Sequence, residues 1–181
     1  TKNSKTYTLY ATVDYKGETY KVISIGEKAF ANRKITKITL PSTLTEIKKS
    51  AFSGCDNLKS IKIPKSVTKI GSKAFYKCTS LKNVTLSASM KEIGDSAFYK
   101  CSKIKSITIP KNVTKIGKNA FYGCSKLSKV TFSGKKIKSI GSSAFKKCVK
   151  SGKFYVPSSK EKAYKKLLKG KIEKKAKIVK K

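Results

Sequence analysis

The dipeptide Ala-Phe recurs along the chain at an almost constant interval, and this recurrence constrains the fold more than any other feature. Successive alanines lie 22, 23, 23, 23 and 24 residues apart in a chain of 181 residues. The six are Ala29, Ala51, Ala74, Ala97, Ala120 and Ala144. A period of about 20 to 50 residues marks a repeat architecture, because a single repeat can bury its apolar face only against its neighbours. The sequence therefore predicts a solenoid of about six coils.

The order of residues within one repeat predicts two short strands and a turn. In the pattern of Leu58, Ile61 and Ile63, the last two side chains share one face of a strand. Pro64 then ends the strand because proline cannot donate to a ladder. A second short extended segment follows and ends at Gly71, where we expect a turn with φ > 0.

The same glycine recurs in most coils and precedes a residue that can cap a short helical turn bearing Ala-Phe. The equivalents of Gly71 are Gly94, Gly117 and Gly141, and the capping residues are Ser72, Asp95 and Ser142. Lys48 takes the place of the glycine in the second coil. We expect the turn there to be strained or built differently.

The combined signature I-G-x-x-A-F-x-x-C-x-x-L-x-x-V-x-I-P resembles the BspA-like leucine-rich repeats of bacterial surface proteins. The resemblance covers residues 19 to 156. It implies an α/β repeat fold, a right-handed leucine-rich-repeat solenoid of about six 22–24-residue coils, strand-rich with short helical turns. It also implies an extracellular or cell-surface location and, for some members, an adhesive role. The family has no shared catalytic residues.

The two ends are predicted to cap the solenoid. Residues 1–26 are interpreted as an N-terminal β-hairpin cap, with an alternating strand over 7–13 and an extended segment over 19–25. The solenoid spans 19–156. Residues 157–181 form a C-terminal cap and basic tail, in which Ala163, Tyr164, Leu167 and Leu168 share one helical face that ends at Gly170. A final strand is possible within 171–181.

Composition argues against catalysis and membrane insertion. Histidine is absent, which excludes Cys-His and Ser-His-Asp catalysis and His-metal sites. We therefore expect no enzyme, no cofactor and no metal. No run of about 20 apolar residues suggests a transmembrane segment. No secretory signal follows Thr1, although a longer parent chain would place signal and anchor elsewhere.

Five cysteines occupy one position of the repeat, three residues after Phe. They are Cys55, Cys78, Cys101, Cys124 and Cys148, whereas the first coil, which is one residue shorter, has Arg33 at this position. Their spacing is unlike that of metal-binding cysteine pairs. Equivalent residues of adjacent coils lie about 5 Å apart, so disulfides remain possible. The odd number favours a structural ladder of buried free thiols.

Carboxylates are few and alternate with lysines. The residue before the second-strand isoleucine is Glu46, Lys69, Glu92 and Lys115 in successive coils. Two glutamates about 10 Å apart could suggest acid–base chemistry, but a lysine stands between them. We predict a surface ion-pair ladder along one strip of the solenoid.

Positive charge is the dominant compositional signal. The 44 Lys and Arg residues include only one arginine, against nine Asp and Glu, for a net charge of +35. Such a chain could bind cell-wall polymers or sulfated glycans, or could simply be a lysine-rich soluble protein. Sequence-specific nucleic-acid binding is disfavoured, since base readout favours arginine and no nucleic-acid-binding motif is present.

The outward positions of the first strand give a candidate binding face of short polar and basic side chains. Its residues are Lys59, Lys62, Lys82, Thr85, Lys105, Thr108, Lys129 and Thr131. Tyr76, Tyr99 and Tyr122 follow Phe in three successive coils, where packing on the next coil is favoured over stacking on sugars or bases.

The resulting prediction is a non-catalytic, monomeric surface module that binds an unknown protein or glycan ligand in an adhesin-like manner. The alternative is electrostatic binding of polyanions. Steep loss of affinity with salt would distinguish the second.

Overall fold

A computed structural model describes residues 5–181 and shows the predicted strand-rich solenoid. Each coil contributes one strand to a front sheet, one shorter strand to a back sheet and an Ala-Phe turn between coils. Apolar side chains from all three elements fill the interior in one continuous core. The period of about 23 residues thus places chemically equivalent residues directly above one another.

The front strands carry the outward faces predicted from the sequence. They are β1 (Lys5–Thr8), β5 (Ile35–Thr39), β7 (Ser60–Lys62), β9 (Asn83–Thr85), β11 (Ser106–Ile109), β13 (Lys129–Phe132), β15 (Lys153–Val156) and β16 (Lys177–Lys180). All paired front strands are parallel, but pairing is not continuous. The paired groups are β1–β5, β7–β9 and β11–β13–β15–β16.

The back strands pair without a break in the order of the coils. They are β4 (Ser24–Ile25), β6 (Glu46–Ile47), β8 (Lys69–Ile70), β10 (Glu92–Ile93), β12 (Lys115–Ile116) and β14 (Ser139–Ile140). Each places one isoleucine in the core and one polar residue outward. The back sheet therefore fixes the register of the whole stack.

The Ala-Phe segments form tight turns rather than continuous helix, because two residues per coil adopt left-handed backbone. In the third coil these are Lys73 and Lys77, each with φ of 56°. Their N–H groups, and that of Phe75, donate to carbonyls of the next coil at 2.8 Å. The phenylalanine rings stack in a column with centroids 5.2 Å apart from Phe30 to Phe145.

The glycines before these turns have a different role from the one expected. Positive φ is found at Gly17, Gly54, Gly123 and Gly170, and not at Gly71, Gly94, Gly117 or Gly141. An added Cβ at Gly94 would lie 2.6 Å from the carbonyl carbon of Gly71. Glycine is therefore required because successive coils approach too closely for a side chain.

The turn at Lys48 is built like the others. Its N–H donates to the Ile25 carbonyl at 3.0 Å, just as Gly71 N–H donates to Ile47 at 2.8 Å. In the first coil, a Cβ on Gly26 would meet nothing within 4 Å. Close packing at this position thus begins in the third coil, where Gly71 faces the Lys48–Lys49 backbone of the second.

An antiparallel hairpin is present at the N-terminal end, formed by β2 (Thr12–Tyr15) and β3 (Glu18–Lys21). The single alternating strand expected over 7–13 is instead divided between two elements, since β1 leaves the hairpin and pairs with β5. The hairpin residues are exposed. Leu9 and Val22 contact the core, so the first coil is covered chiefly by β1 and the hairpin ends.

The C-terminal segment closes the other end. A 3-10 turn (Ser158–Lys160) leads into α1 (Glu161–Leu168), and Gly170 has φ of +73°. Tyr164 and Leu168 are buried and Leu167 is half-buried, but Ala163 is exposed, contrary to the predicted helical face. Strand β16 pairs with β15 and confirms the final strand.

Candidate binding face

The eight residues predicted to form a binding face all lie on the front sheet or directly before its strands. Seven of the side chains are exposed and Thr131 is half-buried. The strand register places Thr85 opposite Lys62, and Thr108 opposite Thr131. Lysine and threonine side chains thus form columns along the stack, and Lys129 Nζ lies 5.3 Å from the centre of the Tyr155 ring.

Charge is segregated between the two sheets. None of the nine Asp and Glu residues lies in a front strand. The back strip carries the predicted ion pairs, with Lys69 Nζ 3.1 Å from Glu46 and Lys115 Nζ 2.8 Å from Glu92. The front face is therefore uniformly basic, whereas the back strip is mixed.

The back strip is an ion-pair ladder rather than an acid–base centre. Glu46 and Glu92 flank Lys69 in the sheet register, as predicted. The hydrogen bond that Lys115 donates to Glu92, together with the negative charge of that carboxylate, raises the pKa of Lys115. Each of the two carboxylates is paired with a lysine of the next coil.

A cleft opens on the front face where β9 and β11 fail to pair. We call this break the seam and the depression beside it the seam cleft, which has a volume of about 500 Å³. The seam cleft is lined by Val84, Thr85, Leu86, Ala88, Ser106, Thr108, Pro110, Lys111 and Ser133. Two of the predicted binding residues, Thr85 and Thr108, therefore line its wall.

A second depression adjoins the seam cleft and is strongly basic. Its volume is about 430 Å³, and Ser106 lines both. We call its lysines, which have no carboxylate beside them in the lining, the lysine end of the seam: Lys82, Lys103, Lys105 and Lys126. Uncompensated ammonium groups at this density attract anionic ligand groups.

The sequence predicted that the eight residues of the candidate binding face share one side of the solenoid, as they do in the structure, but it did not predict the seam. The available signal was a lapse in the repeat, because Ser87-Ala88 replaces the Pro-Lys found at 64–65 and 110–111. It also missed the exposed aromatic side chains of the hairpin region, where Tyr10, Tyr15 and Tyr20 are 75%, 61% and 51% exposed.

The three tyrosines after Phe form a stacked strip on the turn side. Ring centroids are 4.9 Å apart for Tyr76–Tyr99 and 5.2 Å apart for Tyr99–Tyr122. Lys100 Nζ lies 5.7 Å from the Tyr99 ring centre, and Lys147 Nζ lies 5.6 Å from that of Tyr122. Neighbouring rings and ammonium groups cover the ring faces, which supports packing between coils.

The cysteines occupy one structural position beside the phenylalanine column. Four are buried and Cys148 is half-buried. Each thiol donates to the carbonyl of a phenylalanine in an earlier turn, at 2.9 to 3.3 Å. Burial raises the pKa of Cys55 and Cys148 to about 12, and raises those of Cys101 and Cys124 well above 9.0. These thiols are held in their unreactive protonated form.

Residues 5–181 show neither a cluster of metal-binding side chains nor a helix that could span a membrane. Within that range, no group of three or more His, Cys, Asp and Glu side chains could hold a metal ion. No helix in the same range is long and apolar enough to cross a bilayer.

Comparisons with known proteins agree with this architecture. Six copies of the BspA type leucine-rich repeat region match residues 23–151. A leucine-rich repeat protein from Bacteroides ovatus is 30% identical over 85% of this chain, with a TM-score of 0.54. The chain covers 52% of that protein, about half its length.

Two further crystal structures are similar in fold. A leucine-rich repeat protein from Eubacterium ventriosum is 26% identical, with a TM-score of 0.66, over 81% of this chain and 44% of its own. The T. pallidum protein TpLRR is 23% identical, with a TM-score of 0.72, over 98% and 87% of the two chains. At that identity TpLRR shows the shared fold alone. No curated protein sequence matches the chain.

Proposed function

The chain belongs to the BspA-type leucine-rich repeat family, and on this premise we propose that it is a non-catalytic, adhesin-like protein-interaction module that acts at the cell surface or outside the cell. Resemblance to bacterial surface proteins supports the location. The observation that carries the proposal is the front face, whose strands present exposed side chains without a single carboxylate.

The front face suits a protein partner with an acidic surface. Lys62, Lys105 and Lys129 are exposed there and belong to no ion pair within the described chain. Electrostatic complementarity speeds encounter and selects partners more than it adds affinity. Thr85 and Thr108 add short hydroxyl side chains that a partner can approach closely.

The size of the face limits its affinity. Eight strands about 4.8 Å apart, each with about four residues of 3.3 Å, give a sheet surface near 500 Å². A standard interface buries about 800 Å² per partner. Binding through this sheet alone should be weak, so neighbouring loops or multivalent display would be needed for firm adhesion.

The test is an array of extracellular proteins and glycans probed at about 50 mM and about 500 mM NaCl. We expect at least one protein ligand whose binding persists at high salt. The triple variant Lys62→Gln, Lys105→Gln, Lys129→Gln should weaken it, whereas Lys69→Gln, Lys115→Gln on the back strip should not. Equal loss in both variants would place binding elsewhere.

A second candidate is binding of polyanions such as cell-wall polymers or sulfated glycans. The uncompensated lysines of the front face favour it. If the chain binds polyanions, the same array should show glycan ligands only. Their affinity should fall steeply between the two salt concentrations.

A further inference from the structure

The front sheet is interrupted twice, between β5 and β7 and at the seam between β9 and β11. At the first break a hydrogen bond from Lys59 N–H to the Thr36 carbonyl, 3.3 Å long, still joins the two coils. No backbone pairing joins β9 to β11 within residues 5–181. Val84 is half-buried there, although its equivalents Ile61 and Ile107 are buried. The coils stay joined behind the seam, since Glu92 and Ile93 of the back sheet pair with the coils on both sides. The opening is thus a local feature of a continuous stack.

A sequence change at the seam leaves smaller side chains along one side of the seam cleft. Flanking coils end the front strand with Pro-Lys, as at Lys65 and Lys111, whereas this coil has Ser87-Ala88. Ser87 turns inward, where its hydroxyl donates to the Lys65 carbonyl at 2.9 Å and accepts from Ser89 N–H at 3.1 Å. Ala88 then leaves an exposed methyl group where a lysine side chain would stand.

The result is an apolar depression next to a cationic one. Val84, Leu86, Ala88 and Pro110 supply the apolar lining of the seam cleft. Ser106 joins it to the lysine end of the seam. About 500 Å³ is ample for one leucine or phenylalanine side chain, and small, mostly apolar hollows of this kind hold the anchor residues of interfaces.

We propose that the seam cleft is the anchor site for an extended acidic segment of a partner protein, with one apolar side chain in the cleft and its carboxylates on the lysine end. The proposal rests on the proposed function and specifies the partner. A sulfated or phosphorylated glycan would satisfy the lysines but would place no apolar group on Val84 and Leu86. A second copy is disfavoured because Glu46, Glu92 and other carboxylates of this chain already bind lysines.

The probe is a pair of blocked pentapeptides, Asp-Glu-Leu-Asp-Glu and Asp-Glu-Ser-Asp-Glu, titrated by calorimetry and by amide chemical shifts. The leucine peptide should bind at least about tenfold more tightly than the serine peptide. It should also shift the amide resonances of Thr85 and Thr108. Equal binding of the two peptides would overturn the proposal and would leave only charge attraction.

The decisive variant is Ala88→Lys, which restores the lysine of the flanking coils and should fold normally by circular dichroism. It fills the cleft while adding positive charge, so the preference for leucine should disappear even though net charge rises. Lys65→Ala is the matched control and should retain that preference. An unchanged preference in Ala88→Lys would contradict the proposal.

The same variant separates this inference from the proposed function. A protein ligand found on the array could bind Ala88→Lys normally but fail to bind the triple front-face variant. The module would then bind through its front face, and the proposal that the seam cleft anchors the ligand would be wrong. If no protein ligand is found at all, the proposed function fails, whatever the peptides show.

Discussion

At the scale of single residues, the close spacing of coils decides which side chains are tolerated. The back-turn glycines from Gly71 to Gly141 are needed because coils approach closely there: an added Cβ would meet backbone of the preceding coil. The left-handed corners, by contrast, are occupied by Lys73, Lys77, Lys100 and other residues with side chains. Their N–H groups are paired with the next coil, and these hydrogen bonds hold conformations that are uncommon for such residues.

Replacement of a back-turn glycine gives a direct test of coil spacing. Gly94→Ala should lower the free energy of unfolding by about 1–3 kcal/mol, because the added methyl group overlaps the Gly71 backbone. Gly26→Ala should be nearly neutral, since nothing lies within 4 Å of its Cβ. Urea unfolding of both variants measures the difference, and equal effects would contradict this account.

Thiol reactivity tests the cysteine ladder. In the native protein we expect almost no reaction with a disulfide reagent such as Ellman's, because burial keeps the reagent away from the thiols. Cys148, which is half-buried, should be the first to react. Unfolding without reductant should release five thiols; one or three would show that bridges link adjacent coils.

The raised pKa of Cys124 predicts a dependence of stability on pH. The folded thiol keeps its proton above pH 9.0, where the unfolded thiol loses it, so unfolding becomes more favourable as pH rises. Cys124→Ala should cost about 1–2 kcal/mol at pH 7.5. Above pH 9 this cost should shrink by up to about 1.4 kcal/mol per pH unit. A difference between the two proteins that stays constant with pH would refute the assignment.

At the scale of elements, the C-terminal segment continues the hydrogen bonding of the coils it covers. Phe145 N–H donates to Lys171 O at 3.0 Å, where earlier phenylalanines use the alanine carbonyl of the next coil. Lys147 N–H donates to the Glu173 carboxylate at 2.6 Å in place of a backbone carbonyl. The segment thus satisfies donors that would otherwise lack the next coil.

Removal of this carboxylate should loosen the last coil. Glu173→Ala should lose protection of the Lys147 amide against hydrogen exchange and about 1–2 kcal/mol of stability, because a charge-assisted hydrogen bond is lost. Glu173→Gln retains a hydrogen-bond acceptor, so its stability and the protection of its Lys147 amide should lie between those of the unmodified protein and those of Glu173→Ala. If the Lys147 amide exchanges equally in all three proteins, the contact does not hold the coil in solution.

At the scale of the whole molecule, folding holds a charge of +35 in a small volume. Among residues 5–181, only a few lysines have carboxylate partners, and these pairs lie on the back strip, in the turns and at the C-terminal cap. Self-repulsion of this size destabilises a compact state but keeps the protein soluble and favours anionic partners.

Salt should therefore stabilise the protein as a whole. Between about 0.01 M and about 1 M NaCl the screening length falls from about 30 Å to about 3 Å, and the melting temperature should rise by several degrees. Near pH 10, close to the isoelectric point of 10.1, the rise should be much smaller. An equal rise at both pH values would mean that salt acts by another route.

Much of the architecture follows from the sequence alone, because each repeat places the same residue types at the same positions and so requires the same backbone and packing. Apolar residues of period two, the Ala-Phe pair and the cysteine position each recur in the same environment, so one coil predicts the others. The ion pairs of Glu46 and Glu92 followed for the same reason, since equivalent residues become neighbours in a parallel stack.

Tertiary structure alone decided the features that depend on the distance between coils. Whether Gly94 serves backbone conformation or close approach depends on where the preceding coil lies, and the local sequence carries no such distance. The seam depends on how β9 and β11 lie relative to each other in the stack, and the sequence signals it only through Ser87-Ala88, which departs from the Pro-Lys of the flanking coils. The period determined which residues are neighbours, and packing determined how closely they approach.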